Sequence, residues 1–265
     1  MINIQESAIA FTILFTVLYW VFIIMTIRTG KQRKHLEELK DNYIDNVTHE
    51  LKAPGASIKV LIESLSDNES VDSDPEKRRL YYGMVLSSIN KQNHMINEIL
   101  DLSRLKSHPE SLPKTVLTFD ELFEPAMERA IAMCDCIDIT FSYPDDTASL
   151  PKLMTNQRIS QVFENLLNNA ISYTPEGGNV ELDVMVSKGH ITVRIFDDGQ
   201  SISKEDQAHI FERFYKCNST GNNDNGTGLG LAIAHEIISS LGEKIWVESE
   251  PGKGVAFYFT VTTAN

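Results

Sequence analysis

The spacing of apolar residues changes character along the chain. Residues 8–27 (AIAFTILFTVLYWVFIIMTI) are apolar on every side and carry no charge. At helical rise such a run reaches about 30 Å, the thickness of a bilayer's hydrocarbon core, so it predicts one transmembrane helix. Leu36, Leu39, Tyr43, Val47, Leu51, Ile58, Ile62 and Leu65 then recur at three- and four-residue steps, the pattern of an amphipathic helix. The polar stretch SDNESVDSD ends it. A second helix opens with Asp74 as N-cap and Pro75 at the first helical position, where a missing N–H costs nothing. Its apolar stripe is Leu80, Met84, Ile89, Met95, Ile99, Leu102 and Leu105. Two helices with one apolar face each bury those faces best as a dimeric four-helix bundle.

Beyond Pro113 the pattern becomes mixed. Alternation predicts strands at KTVLTF, DITFSY, NVELDVMVS, HITVRIFDD, KIWVES and VAFYFTVT, with helices near 119–133, 156–172 and 228–241. Val180–Val186 and Ile191–Phe196 form a hairpin turning at Lys188 and Gly189. Helices on one face of a mixed sheet make an α+β two-layer sandwich. The expected organisation is a transmembrane helix at 8–27, a juxtamembrane helical linker at 28–40, a helical hairpin at 41–108, a linker at 109–113 and the sandwich at 114–263.

Charge orients this layout. Arg28, Lys31, Arg33 and Lys34 follow the apolar run, whereas Glu6 precedes it, so the run is an anchor rather than a cleaved signal and everything after residue 28 is cytoplasmic. Few residues precede the run, which predicts no sensor domain ahead of it unless the coding sequence continues upstream. A net charge of -13 argues against nucleic acid as partner. The three cysteines, Cys134, Cys136 and Cys217, are too few for a disulfide framework or a zinc tetrahedron and suit a reducing compartment.

Four places carry candidate chemistry. His49 lies two residues from both Val47 and Leu51, so it points away from the apolar stripe, and Pro54 should kink the helix one turn later. A surface histidine alone is an ordinary solvated residue. Asn165, Asn168 and Asn169 sit inside a helix, where asparagine is disfavoured; Asn165 and Asn169 share one face and two amides there could meet a triphosphate and its Mg²⁺. Asp197 and Gly199 end a strand, either an Asp-Gly turn or a carboxylate placed to accept from a purine amine. Gly226, Gly228 and Gly230 open a helix whose N–H groups and dipole suit phosphate oxygens, although the Walker and Rossmann patterns are both absent.

The residues around His49, Thr48 to Pro54 (THELKAP), resemble the phospho-acceptor box of bacterial sensor histidine kinases of two-component systems. The later segments, in their order and spacing, resemble the GHKL (Bergerat) ATP-binding fold shared by histidine kinases, type II topoisomerases, heat-shock chaperones and mismatch-repair ATPases. The double resemblance covers residues 40–262. It implies a homodimer that uses ATP and Mg²⁺ to phosphorylate His49, with Glu50 taking or orienting a proton. The phosphoryl group then passes to an aspartate on the receiver domain of a cognate response regulator. It also implies Asn165 and Asn169 on phosphates, Asn169 on Mg²⁺, Asp197 on adenine, and Gly199 in the adjacent turn. Tyr173, Phe214, Gly226, Thr227, Gly228, Leu229 and Gly230 would complete the ATP site. IFERFYK, with Phe211, Phe214 and Tyr215, looks like the family's phenylalanine box, and CNSTGNNDNG like its lid.

Hydrolysing members of the fold carry a glutamate at the position of Asn165, and asparagine cannot act as that base. This favours a kinase over an ATPase. Four positions depart from the family pattern: Ser201 for a second glycine, Ser172 for a basic residue, Gly55 for leucine, and Ala53 where partner-dephosphorylating relatives carry Thr or Asn. The last predicts weak phosphatase activity. The rival reading is a membrane-tethered pseudokinase scaffold that binds nucleotide without transferring phosphate. Either protein belongs in the bacterial inner (plasma) membrane, single-pass, with its catalytic part in the cytoplasm.

Overall fold

The structure, a computed structural model, describes residues 44–48, 50–66, 74–107, 112–217 and 226–264, with Trp20, Phe22, Ile23, Met25, Thr26 and Arg28. The chain divides into two compact units, residues 1–56 and 57–265. Most of the predicted anchor at 8–27 lies outside the described residues. Those of its positions that are described are helical, and Trp20, Phe22 and Met25 are exposed. Among the described residues no helix is long and apolar enough to cross a membrane. Residues 44–48 and 50–56 of the first unit are helical, and the helix continues through Pro54, which is buried.

The second unit begins with helical residues 57–66. Helix α1, Pro75–Ser107, starts as its sequence requires. Asp74 Oδ1 accepts the amides of Glu76 at 3.0 Å and Lys77 at 3.4 Å, satisfying two of the donors that a helix start leaves unpaired. Its predicted stripe divides in two. Leu80, Met84 and Ile89 are exposed, whereas Met95, Leu102 and Leu105 are buried, where the C-terminal half of α1 packs on the sandwich.

The sandwich has strands β1 (Thr115–Leu117), β2 (Thr140–Ser142), β3 (Leu153–Thr155), β4 (Asn179–Ser187), β5 (His190–Asp197), β6 (Ile245–Ser249) and β7 (Val255–Thr262). Its helices are α2 (Phe119–Cys136), α3 (Ile159–Tyr173), the single turn α4 (Lys204–Gln207) and α5 (Gly230–Ser240). One sheet runs β2-β4-β5-β7-β6, with β2 parallel to β4 and the other neighbours antiparallel; β1 and β3 form a separate pair. The predicted hairpin is present, with Ser187 paired to His190 across Lys188 and Gly189. Gly189 takes a φ of +87°, a left-handed conformation that glycine adopts without steric cost.

Sequence patterning misses β3 and α4, and places several boundaries a few residues off, three of them informative. The first strand stops at Leu117 because Thr118 turns to cap α2 in a reciprocal box with Glu121. Helix α3 starts at Ile159 rather than 156 because the Asn156 side chain accepts the Arg158 amide at 2.9 Å, holding a turn ahead of the helix. Helix α2 runs past 133 to Cys136. Cys134 is buried and Cys136 exposed, so the pair faces opposite ways.

The core forms where the apolar face of α3 (Ile159, Val162, Phe163, Leu166, Leu167, Ala170 and Ile171) meets β5, α2 and α5. Phe163 stands 4.7 Å, ring centre to ring centre, from Phe123, which also contacts Phe119 and Phe259. Truncating such a buried ring costs about 3–5 kcal/mol. This packing leaves Asn165, Asn169 and Tyr173, each four residues after the last, as a second stripe along the edge of α3.

Candidate functional site

That edge stripe forms one wall of a cavity of about 700 Å³. Asp197 at the end of β5, the turn residues Gly226, Thr227, Gly228 and Gly230, and the apolar Ile202, Ile210, Val255 and Phe257 line it too. Of the candidate residues named from sequence, Asn165, Asn168, Asn169, Tyr173, Asp197, Gly226, Thr227, Gly228 and Gly230 line it. Gly199, Phe214 and Leu229 shape it through backbone contacts instead. His49 lies outside the described residues, as does most of the lid, residues 218–225. Glu50 is helical and half-buried in the first unit.

The two aspartates of DDG have different jobs. Asp198 accepts both the main-chain and side-chain amides of Asn179, at 2.9 and 2.8 Å, and so fastens β5 to the start of β4. Asp197 is buried, with 2% of its surface exposed. Burial pushes its carboxyl up to about 7, against the Gly199 amide, whose hydrogen bond favours the charged form, while the charge of Asp198 adds to the rise. That amide reaches Asp197 Oδ1 at 3.1 Å. A Cβ on Gly199 would stand 2.2 Å from the carbonyl oxygen of Tyr173, so only glycine lets the turn lie against the end of α3.

The glycine-rich turn is tied down in three directions. Asn165 Nδ2 donates to the carbonyl of Gly230 at 2.9 Å, joining α3 to the first residue of α5. Gly228 takes a φ of +69°, and a Cβ there would come within 2.8 Å of the Phe214 backbone. Phe214, itself left-handed at +60°, donates its amide to Gly228 at 2.8 Å. A non-glycine residue held in that region marks backbone strain kept in place by its surroundings. Leu229 is fully buried and donates its amide to Thr227 Oγ1 at 3.2 Å.

The aromatic box packs as the wall's outer support. Phe211 lies beside His235 and Phe257. Tyr215 lines the cavity, and its hydroxyl donates to Asp206 Oδ1 at 2.6 Å. Asp206 holds the Ser203 cap of α4, so α4, absent from the sequence pattern, anchors this box. Ser201, in place of a glycine, accepts the Gly252 amide at 2.9 Å and thereby meets the turn between β6 and β7. Ser172 is exposed and lines the cavity.

Sequence reasoning missed an entire wall: Lys91, His94 and Glu98 of α1 also line the cavity. Glu98 is 8% exposed, and its Oε2 accepts the Thr227 hydroxyl at 2.8 Å. His94, which sequence left without a role, stands 3.5 Å from the same carboxylate, whose hydrogen bond raises its pKa. One turn beyond Glu98, Asp101 pairs with Arg158 at 3.3 Å. A signal existed: Glu98 falls three residues after Met95 and four before Leu102, a carboxylate within a buried stripe.

A two-layer sandwich with a cavity between an asparagine-edged helix, a buried aspartate and a glycine-rich helix start defines a nucleotide-binding domain of the GHKL type. Residues 154–265 match the family model of the histidine kinase-, DNA gyrase B-, and HSP90-like ATPase, and residues 39–108 match the His Kinase A (phospho-acceptor) domain. The chain belongs to the sensor histidine kinases of two-component systems.

The chain is 29% identical over 242 residues to the sensor-like histidine kinase SenX3 of Mycolicibacterium smegmatis, covering 91% of this chain and 62% of SenX3. It spans 39% to 62% of the length of the first curated relatives it matches. Among solved structures, histidine kinase ThkA in complex with the response regulator TrrA superposes with a TM-score of 0.68 at 24% identity, covering 89% of this chain and 66% of that one. Full-length ShkA in complex with AMPPNP gives 0.59 at 23%, covering 83% and 46%. These two likenesses establish the shared fold.

Proposed function

We propose that this chain is the membrane-anchored kinase portion of a sensor histidine kinase. It phosphorylates His49 with ATP and passes the phosphoryl group to an aspartate of a response regulator. The observation that carries the proposal is the cavity of about 700 Å³, which gathers Asn165, Asn169, Asp197 and the glycine-rich turn around one space. That volume is the size of a small-molecule site, and its lining combines an apolar patch with many polar and charged groups, as a nucleotide with both a base and phosphates requires.

An adenine nucleotide fits this chemistry. The Asp197 carboxylate accepts from the exocyclic amine, which selects adenine over guanine. The start of α5, with its amides and dipole, faces phosphate oxygens. The Asn165 amide nitrogen is engaged by Gly230, which leaves its oxygen and the Asn169 amide for the phosphates and Mg²⁺. Mg²⁺ supplies charge neutralisation on the phosphates when bound. The chain's own work is positioning, because phosphoryl transfer needs little covalent help. The His49 imidazole forms the N–P bond as the bond from the γ-phosphorus to its bridging oxygen breaks and ADP leaves, and Glu50 takes or orients the proton on the other ring nitrogen.

The remaining organisation is part of the same proposal. Residues 8–27 cross the bacterial inner membrane once, 28–40 link to a hairpin at 41–108, and 109–113 lead to the ATP-binding domain at 114–263, on the cytoplasmic side. The exposed Leu80, Met84 and Ile89 of α1 support a homodimer in which the hairpins close a four-helix bundle. A receiver domain as partner is supported by the ThkA complex with its response regulator. Ala53 points to weak phosphatase activity toward that partner, checked by following loss of label from the phosphorylated regulator.

The test uses the full chain in detergent with γ-labelled ATP and Mg²⁺. Acid-labile, base-stable label that disappears in His49→Gln is expected. Nucleotide binding with no label in the parent chain would instead make the protein a tethered scaffold.

A further inference from the structure

We propose that Glu98 is a built-in occupant of the phosphate end of the nucleotide pocket, and that nucleotide entry breaks its bond to Thr227 and loosens α1 from the glycine-rich turn. The inference rests on the reading of the cavity as an ATP site.

The hydroxyl of Thr227 has one proton to give. It goes to Glu98 Oε2 at 2.8 Å, while the Leu229 amide, at 3.2 Å, uses the oxygen's accepting side. With that proton committed, Thr227 cannot donate to a phosphate oxygen. Glu98 also brings a negative charge to the wall of a cavity meant for a polyanion, and at 8% exposure little water screens it. The position is not a chance of the surface, since Glu98 shares the buried face of α1 with Met95 and Leu102. Burying a carboxylate is costly unless it is paired. Its partners are Thr227 and His94, the latter 3.5 Å away. A triphosphate therefore competes with Glu98 for Thr227 and repels the carboxylate at the same time. What the nucleotide displaces is α1 itself, so filling the pocket and freeing the catalytic domain from that helix become one event.

ATP and adenosine affinities measured on the full chain in detergent separate the possibilities. Glu98→Gln keeps the shape and an acceptor for Thr227 but removes the charge, and Glu98→Ala removes both. Both variants should bind ATP about tenfold more tightly than the parent, while adenosine, which lacks phosphates, changes less than about twofold. In the parent chain, AMPPNP with Mg²⁺ should speed amide hydrogen exchange in residues 95–105. ATP affinity unchanged or weakened in both variants, adenosine tightened as much as ATP, or exchange in 95–105 unchanged or slowed each overturns the proposal. A parent chain that binds neither ATP nor adenosine removes the ATP-site reading itself.

Discussion

The side-chain amide of Asn165 on α3 donates to the main-chain carbonyl of Gly230, the first residue of α5, at 2.9 Å. One asparagine thus connects the helix that edges the pocket to the helix whose start closes it.

Asn165→Ala should loosen that connection twice over. Losing a neutral hydrogen bond costs about 1 kcal/mol, which lowers Tm by roughly 2–4 °C in a domain of this size. The position of the glycine-rich turn is lost with it, so ATP affinity should fall about tenfold or more, beyond what the small loss of stability explains. Paired thermal melts and nucleotide titrations check this, and a fall in Tm with ATP affinity retained would mean that Asn165 only braces the fold.

The buried Asp197 makes stability depend on pH in an unusual direction for a carboxylate. Its carboxyl lies near 7 in the folded chain, above the ordinary value of 3.8. The folded state therefore holds the proton more tightly, and the resulting stability is full below about pH 4 and is lost as pH rises through 7. Other carboxylates, such as Glu121 and Asp206, are held below their usual range and slope the opposite way. The comparison must therefore be a difference. Asp197→Asn, which cannot ionise, should gain Tm relative to the parent as pH goes from 5 to 8, while binding ATP about tenfold more weakly because the carboxylate proposed to receive the adenine amine is gone.

Gly199→Ala tests the contact between β5's end and α3. The added Cβ would meet main-chain oxygen at 2.2 Å, and the nearby alternatives, Asp197 and the last turn of α3, are themselves site residues. Relief requires the turn to move, so the variant should lose ATP binding and a few degrees of Tm together. Retention of both within error would mean that the turn has room the structure denies it.

The helical segments on either side of residues 67–73 and most of the sandwich were legible because their apolar residues keep one period long enough to be read. The rest was not, for identifiable reasons. β3, at Leu153–Thr155, is three residues long, too short to show an alternation, and is held in place by β1 and the C-terminus of β7. α4 is a single turn recognisable only through the Ser203 cap and Asp206. The pocket's asparagines stood out because a helix interior disfavours them, while Asp197 and the glycines took their meaning from their places at a strand end and a helix start. Glu98 and Thr227 are 129 positions apart. No local pattern relates them, and only the folded chain brings α1 to the cavity.

The bond between Tyr215 and Asp206 supplies the last prediction. The phenol at 2.6 Å holds Asp206 below the usual carboxylate range, Ser203 adding to the effect, and the same bond, with the charge it faces, pushes Tyr215 up to about 12. Both shifts favour one state, a carboxylate accepting from a neutral phenol. The stability it contributes is present above the ordinary Asp value, is lost as pH falls below that, and is lost again as pH rises through 12. Tyr215→Phe keeps the ring against the pocket and removes only the hydroxyl. Its Tm should therefore fall below the parent's at pH 7, and the gap should narrow as pH falls below the ordinary Asp value and Asp206 takes up its proton, which removes the charge-assisted bond. Because α4 then holds the aromatic box less firmly, ATP should dissociate faster at pH 7, while Asp197 and the glycine-rich turn, the proposed ATP contacts, are left in place. A Tm gap that persists unchanged at low pH would show that the hydroxyl acts through packing rather than through Asp206.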